Sequence, residues 1–268
     1  MVSRPPSQID LAAAALLIAL DDYPSLNQQE YLLKIERLAA AVQKRLGCAA
    51  EVGSMDVIGA INQQLFDVEG FRGNQDDYYD PRNSFLNEVL DRKMGIPITL
   101  SLLYLEIGKR LGVELQGVGM PGHFIVKTVH QGIEVFVDPF CRGEILFEEQ
   151  CKGKLAQIYG KGFRFERSYL NAVNSHQILE RLLANLKSIY FNRKNYAKAL
   201  EAIEKILLIH PDSPEQIRDQ GSVHYRLGQL SQAVRDWARY LELAPSAQDA
   251  DEVEKNLKRV GRLMASRN

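Results

Sequence analysis

Apolar residues recur at helical spacing through the first 70 positions. A continuous apolar run from Leu11 to Leu20 predicts one helix, which Pro24 ends. Leu32, Ile35, Leu38, Ala39, Val42 and Leu46 share one face of a second, and Ile58, Ile61 and Leu65 mark a third. Ser7 with Asp10, Ser25 with Gln28, and Asp56 are the expected N-terminal caps, because a short polar side chain can accept from the first free N–H groups of a helix. The stretch from Gly73 to Asn83 is polar, rich in turn formers and carries Pro81, so it reads as a loop. Ser84 is expected to cap a short helix through Phe85, Leu86, Val89 and Leu90. Pro97 then stands where the next helix begins, a position that suits proline because no N–H is needed there. That helix is expected to stop at Gly112.

After Gly112 the pattern shifts to strands, at Val113 to Gly119, Phe124 to Val129 and Ile133 to Val137. Gln131-Gly132 joins the last two as a hairpin. The segment from Phe147 to Asn174 is mixed, with a loop at Gly160-Lys161-Gly162, and from Ser175 onward the chain is helical. The expected fold class is α+β: a helical N-terminal segment and a core with a small antiparallel sheet over residues 1–174, then an all-α tail over 175–268.

The tail repeats itself. Tyr190, Asn195, Tyr196, Ala199, Ile203 and Pro211 are matched, each 34 positions on, by His224, Gln229, Leu230, Ala233, Trp237 and Pro245. That is the tetratricopeptide period. Small Ala199 and Ala233 let paired helices approach, Tyr196 and Leu230 fill the space beside the turn, and the prolines end each second helix. Two hairpins and a capping helix from Asp251 to Met264 are expected. Such repeats hold another protein, or dock on their own neighbouring domain.

Composition narrows the classes. The 268 residues carry 33 Lys and Arg against 34 Asp and Glu, a formal net charge of −1, so no broad field exists to collect nucleic acid, and none is expected as a partner. The basic Lys258 to Arg262 stretch reads as the solvated end of the last helix. Three cysteines, Cys48, Cys141 and Cys151, form no tight pair and fit a reduced, cytoplasmic setting. The opening from Met1 to Pro6 is not expected to be a secretory signal. The run from Leu11 to Leu20 is about half of what a membrane span needs.

His123 and Asp138 are the residues most suited to chemistry. A two-residue turn at Gln131-Gly132 sets Asp138 opposite Ile125, which makes His123 its diagonal neighbour on the same face. A histidine oriented by a carboxylate is a general-base arrangement; it is equally a structural hydrogen bond at the end of a hairpin. A metal set of His123, Asp138 and Cys141 lacks supporting spacing, and Asp76, Asp77 and Asp80 lack that of a calcium loop, so neither metal nor cofactor is expected. The acidic segment reads as a solvated loop or a lid over the His123 cleft.

Gly95 to Ser101, the helix through Leu103 to Arg110, Gly112, Gly122-His123-Phe124 and Val137-Asp138-Pro139 together resemble a transglutaminase-like core of the papain-like fold. With Tyr78 to Leu86 and the repeat tail, the chain resembles the SirB-type bacterial family, transglutaminase-like followed by tetratricopeptide repeats. The resemblance implies a nucleophilic cysteine at the start of the helix, with His123 and Asp138 on the following strands. Pro97 stands at that cysteine position. The expectation is therefore a pseudoenzyme, with His123 and Asp138 vestigial or structural. As a regulatory or adaptor protein it would bind a partner through the repeats and a peptide in the vestigial cleft. The alternative is an acyl-transfer or amide-hydrolysing enzyme with Ser101, Thr99 or Cys141 as a relocated nucleophile.

Overall fold

The computed structural model describes residues 5–47 and 53–265. Cys48 lies outside the described residues. Two compact units divide the chain between Leu182 and Leu183.

The first unit opens with α1 (Leu11–Ala19), α2 (Gln28–Leu46) and α3 (Ser54–Asn62), the last continuing as a π-helical turn over Gln63–Val68. The helices form where the apolar periodicity places them, but the caps differ from expectation. Asp10, not Ser7, caps α1, accepting from Ala13 N–H at 2.9 Å. Pro5 and Pro6 hold the preceding residues in a separate 3-10 turn, so Ser7 lies outside the helix. Asn27 rather than Ser25 occupies the cap position of α2. Asp56 lies in the first turn of α3 and accepts from Gly53 N–H.

A 3-10 turn at Pro81–Ser84 leads into α4 (Leu86–Arg92). Ser84 belongs to that turn, so it does not cap α4; its hydroxyl is buried without a hydrogen-bond partner among the described residues. Two short strands, β1 (Arg72–Gly73) and β2 (Met94–Gly95), pair in parallel and deliver the chain to α5 (Pro97–Arg110). Every residue of α5 from Pro97 to Gly108 is buried. This helix is the axis of the unit, packed by α1, α2, α3 and α4 and by the sheet.

The sheet has five strands in the order β6-β5-β4-β3-β7, built from β3 (Gln116–Val118), β4 (Ile125–His130), β5 (Ile133–Asp138), β6 (Glu144–Leu146) and β7 (Ala172–Val173), all antiparallel. Val126 faces Val137 and His130 faces Ile133, the register expected of a two-residue turn. Gln131 and Gly132 both have positive φ, 50° and 78°, which such a turn demands. β3 is shorter than the expected strand from Val113 to Gly119. The mixed segment resolves into α6 (Glu148–Tyr159), a 3-10 turn at Arg167–Leu170, and β7.

The second unit comprises the C-terminal part of α7 (Ser175–Asn192) with α8 (Tyr196–Ile209), α9 (Pro214–Arg226), α10 (Leu230–Leu243) and α11 (Ala250–Ala265). Ala199 and Ala233 are fully buried, as close helix approach requires. The indole of Trp237 packs on Gly221: a Cβ there would lie 2.6 Å from Trp237 Cδ1. Val253 and Val260 bring α11 into one core with Ile217, Trp237 and Tyr240, which is how the last helix covers the final hairpin.

Candidate functional site

The histidine and the aspartate meet. His123 follows a turn closed by its own N–H to Met120 C=O at 3.1 Å, with Gly122 at φ +67°. Asp138 ends β5 and is fully buried. His123 Nε2 lies 2.8 Å from Asp138 Oδ2, so the Nε2–H donates to the carboxylate. The other carboxylate oxygen accepts from the backbone N–H groups of Phe140 and Cys141 at 3.1 and 3.2 Å, starting a 3-10 turn at Pro139–Cys141.

A further partner of Asp138 has no local signal in the sequence. Lys154, from α6, places its ammonium 2.8 Å from Asp138 Oδ2, 2.8 Å from Glu144 Oε2 and 3.4 Å from Cys141 Sγ. Burial alone would raise the Asp138 pKa. The His123 hydrogen bond and charge, with those of Lys154, outweigh it and hold the carboxyl at about 2. Burial lowers the Lys154 pKa, but its bonds to Asp138 and Glu144 leave it raised. Asp138, Cys141 and Glu144 offer three potential metal-ligand atoms within 4.8 Å of one another. This is not the set weighed from sequence, since Glu144 takes the place of His123. An ammonium already stands among the three atoms, so a metal ion would have to displace Lys154.

The residues considered as nucleophiles are otherwise engaged. Pro97 is the first residue of α5. Thr99 Oγ1 accepts from Ile96 N–H at 3.1 Å and donates to Asn83 C=O at 2.8 Å. Ser101 Oγ donates to Phe124 C=O at 3.3 Å, tying α5 to the residue after His123. Burial, then the nearby Asp138 charge, pushes the Cys141 thiol up, away from the thiolate a nucleophile needs. Cys151 is fully buried and pushed up to about 12 by that burial.

The polar loop is a wall of this site. Its Tyr78 ring packs edge-on against Phe140, which packs edge-on against His123, each pair with centroids 6.1 Å apart. Phe140 in turn rests on Gly73, where a Cβ would come within 2.6 Å of the ring. Asn83 is wholly buried; its amide donates to Asp77 C=O at 2.7 Å and accepts from Asn74 at 3.0 Å. Asp76 and Asp77 are exposed, but Asp80 is not solvated: it is buried against Arg82 and Arg92.

Two cavities lie apart from His123. One of about 760 Å³, at the far end of α5, is lined by Leu105, Glu106, Lys109, Gln116, Val173 and Ile178 among others; no residue considered for catalysis lines it. The second, about 270 Å³, lies in the repeats between Lys187, Ser188, Phe191 and Asn192 of α7 and Asp219 and Ser222 of α9. Lys187 Nζ donates there to Asp219 Oδ2 and Gln216 Oε1, both at 2.8 Å.

A central helix packed on a sheet bearing a His–Asp pair, followed by 34-residue helical repeats, defines a transglutaminase-like domain joined to tetratricopeptide repeats. Comparison with known proteins finds both parts: residues 29–184 match the model of the transglutaminase-like superfamily and 186–258 that of the tetratricopeptide repeat. The chain belongs to the transglutaminase-like superfamily and, within it, to the family of UPF0162 proteins. A UPF0162 protein of Xylella fastidiosa (strain 9a5c) is 37% identical over 254 residues, covering 93% of this chain and 89% of that one. One of Vibrio cholerae is 32% identical over 178 residues, 66% of each chain. Human F-box only protein 21 is 31% identical over 184 residues, 64% of this chain but 28% of its own. Among the described residues, no helix is long and apolar enough to cross a membrane.

Proposed function

We propose that the protein is a non-catalytic adaptor of the cytoplasm. Its repeats hold an extended segment of a partner protein, and the transglutaminase-like domain offers a peptide-binding cleft at His123. The observation that carries this reading is the state of the candidate nucleophiles. Proline occupies the helix start that would activate a thiol, the Thr99 and Ser101 hydroxyls donate to backbone carbonyls, and burial pushes the Cys141 thiol pKa up. Removing the nucleophile from such a constellation leaves little catalysis. Lys154 also shares the carboxylate that would otherwise serve His123 alone.

The repeat cavity supports the adaptor role. Phe191 and Ile203 supply apolar lining, and Ser188, Asn192 and Ser222 supply hydrogen-bonding groups. That combination suits one large side chain and the backbone around it. The matched region makes up 28% of the human F-box protein, which fits a module carried within larger chains. A photo-crosslinker placed at Ser222 in cells should trap one partner, retained in His123→Ala and lost in Phe191→Ala.

The 2.8 Å His123–Asp138 contact favours one other reading, an acyl-transfer or hydrolytic enzyme with a relocated nucleophile. Labelling of Ser101, Thr99 or Cys141 by fluorophosphonate or chloroacetamide probes in the wild type but not in His123→Ala would establish it and overturn the adaptor.

A further inference from the structure

The segment that links α6 to β7 alternates aromatic and basic residues: Tyr159, Lys161, Phe163, Arg164 and Phe165. Its backbone turns sharply at Gly160, φ +92°, and Phe163 N–H closes the turn on Gly160 C=O at 3.1 Å. The turn folds Phe163 back onto Tyr159. The two rings stack at 4.7 Å between centroids with their planes 20° apart. Phe163 continues to Tyr169 at 5.8 Å, and Phe163, Phe165 and Tyr169 pack on the core beneath the sheet. The stack is thus anchored from below and ends in Tyr159, which is 50% exposed. Beside it Lys161 and Arg164 are exposed and, among the described residues, neither makes an ion pair. The neighbouring carboxylates of Glu134, Glu148 and Glu149 are already paired with Arg167, Lys127 and Lys152, while Glu166, two residues beyond Arg164, is exposed and accepts from the Ser168 hydroxyl at 3.4 Å.

We propose that the Tyr159–Phe163 stack with Lys161 and Arg164 is a binding platform for single-stranded nucleic acid. A base extends the ring stack on the open face of Tyr159, and the two free cations take adjacent phosphates. Such platforms combine aromatic faces with positive charge and tolerate any base, because every base has a π-face. An apolar protein surface seated here would bury both cations without compensation, whereas a planar anionic ligand satisfies rings and charges together. The net charge of −1 excludes a general polyanion field but not a patch of this size. With only two phosphates neutralised, binding is weak and its salt dependence shallow. The slope of log K against log salt is about −1.4 for a single strand.

Fluorescence anisotropy of the full chain with labelled dT12 and U12 at about 50 mM salt tests this; the two oligomers separate DNA from RNA preference. Saturable binding between about 1 and 100 µM is expected. Tyr159→Ala should weaken it by about 5- to 150-fold, the loss of one stacked base, with Tyr159→Phe unchanged. Lys161→Ala with Arg164→Ala should flatten the salt slope. Circular dichroism confirms that each variant folds. The proposal is overturned if neither oligomer saturates by 100 µM, if Tyr159→Ala binds as the wild type does, or if oligo-glutamate of equal charge binds as tightly, which would mark a surface for acidic peptides.

Discussion

The two units each contain a close histidine–aspartate pair, and the pairs are electrostatic opposites. In the first, Asp138 accepts two backbone N–H groups, the His123 ring and the Lys154 ammonium, and its pKa falls to about 2 despite complete burial. In the second, His224 on α9 reaches Asp236 on α10 at 2.6 Å, yet the Asp236 pKa is raised. Burial dominates there, and the contributions of His224, Arg235 and Arg239 do not offset it. A short His–Asp distance therefore says little about charge. The remaining donors around the carboxylate decide whether it is a firm anion or a reluctant one.

Removing the firm anion should have the largest effect. Asp138→Ala leaves Lys154 with Glu144 alone and the His123 N–H and two backbone N–H groups facing an empty site, and breaking a buried pair this way costs about 3–5 kcal/mol. Urea denaturation should show that loss in the first unit. Full retention of stability would mean that Lys154 and His123 find solvent when the carboxylate goes.

Acid should separate the pairs by sign. A depressed folded-state pKa gives stability that is complete above the unfolded value of 3.8 and is lost as pH falls toward about 2. For Asp138 that contribution is about 2 kcal/mol. Asp236 behaves oppositely. Its raised folded-state pKa makes ionisation costly, so its contribution is favourable below 3.8 and disappears as pH rises through the folded value. Amide hydrogen exchange followed from pH 5 to pH 2 should show β4 and β5 losing protection before α9 and α10. The reverse order would contradict the assignment.

Sequence reasoning reached the second pair's surroundings more easily than the first's. The repeat register is a local code: a small residue every 34 positions is where helices must touch, and Ala199 and Ala233 are fully buried as that requires. The hairpin register was equally legible, because Gln131-Gly132 admits one pairing and that pairing brings His123 to Asp138. Lys154 was not legible. It lies on α6, within a segment that showed no period, and its partners come from β5 and β6, contacts that no spacing encodes. Asn83 was missed for a related reason. A run of turn formers reads as solvated, whereas this loop turns its amides inward, Asn83 donating to the Asp77 carbonyl and Asn74 to the Asn83 side chain. Caps at Ser7, Ser25 and Ser84 failed where a neighbouring proline turn or a second polar residue competed for the helix start.

The second pair depends on how closely α9 and α10 approach, and Gly221 sets that distance. Gly221→Ala would force a Cβ to within 2.6 Å of the Trp237 ring. Overpacking of this kind costs about 1–3 kcal/mol. The better helix propensity of alanine returns about 0.5–1. A net loss of about 1–2 kcal/mol is expected, read by thermal denaturation with Trp237 fluorescence. Separation of the helices should also break the His224–Asp236 contact, which a chemical-shift change at the His224 ring would report. An unshifted ring alongside lost stability would mean that Trp237 alone absorbs the strain.

The smallest change is the most discriminating. Asp236→Asn keeps the size and the acceptor oxygen for His224 but removes the charge that burial penalises. At neutral pH it should alter stability by no more than about 1 kcal/mol, with the sign toward stabilisation. The same substitution at Asp138 places an amide N–H against an ammonium and must destabilise. If both asparagine variants destabilise alike in urea titrations, the difference between the pairs is one of packing, not charge. If they diverge in sign, the donor count around each carboxylate is the cause, and Lys154 is the residue that makes the first pair what it is.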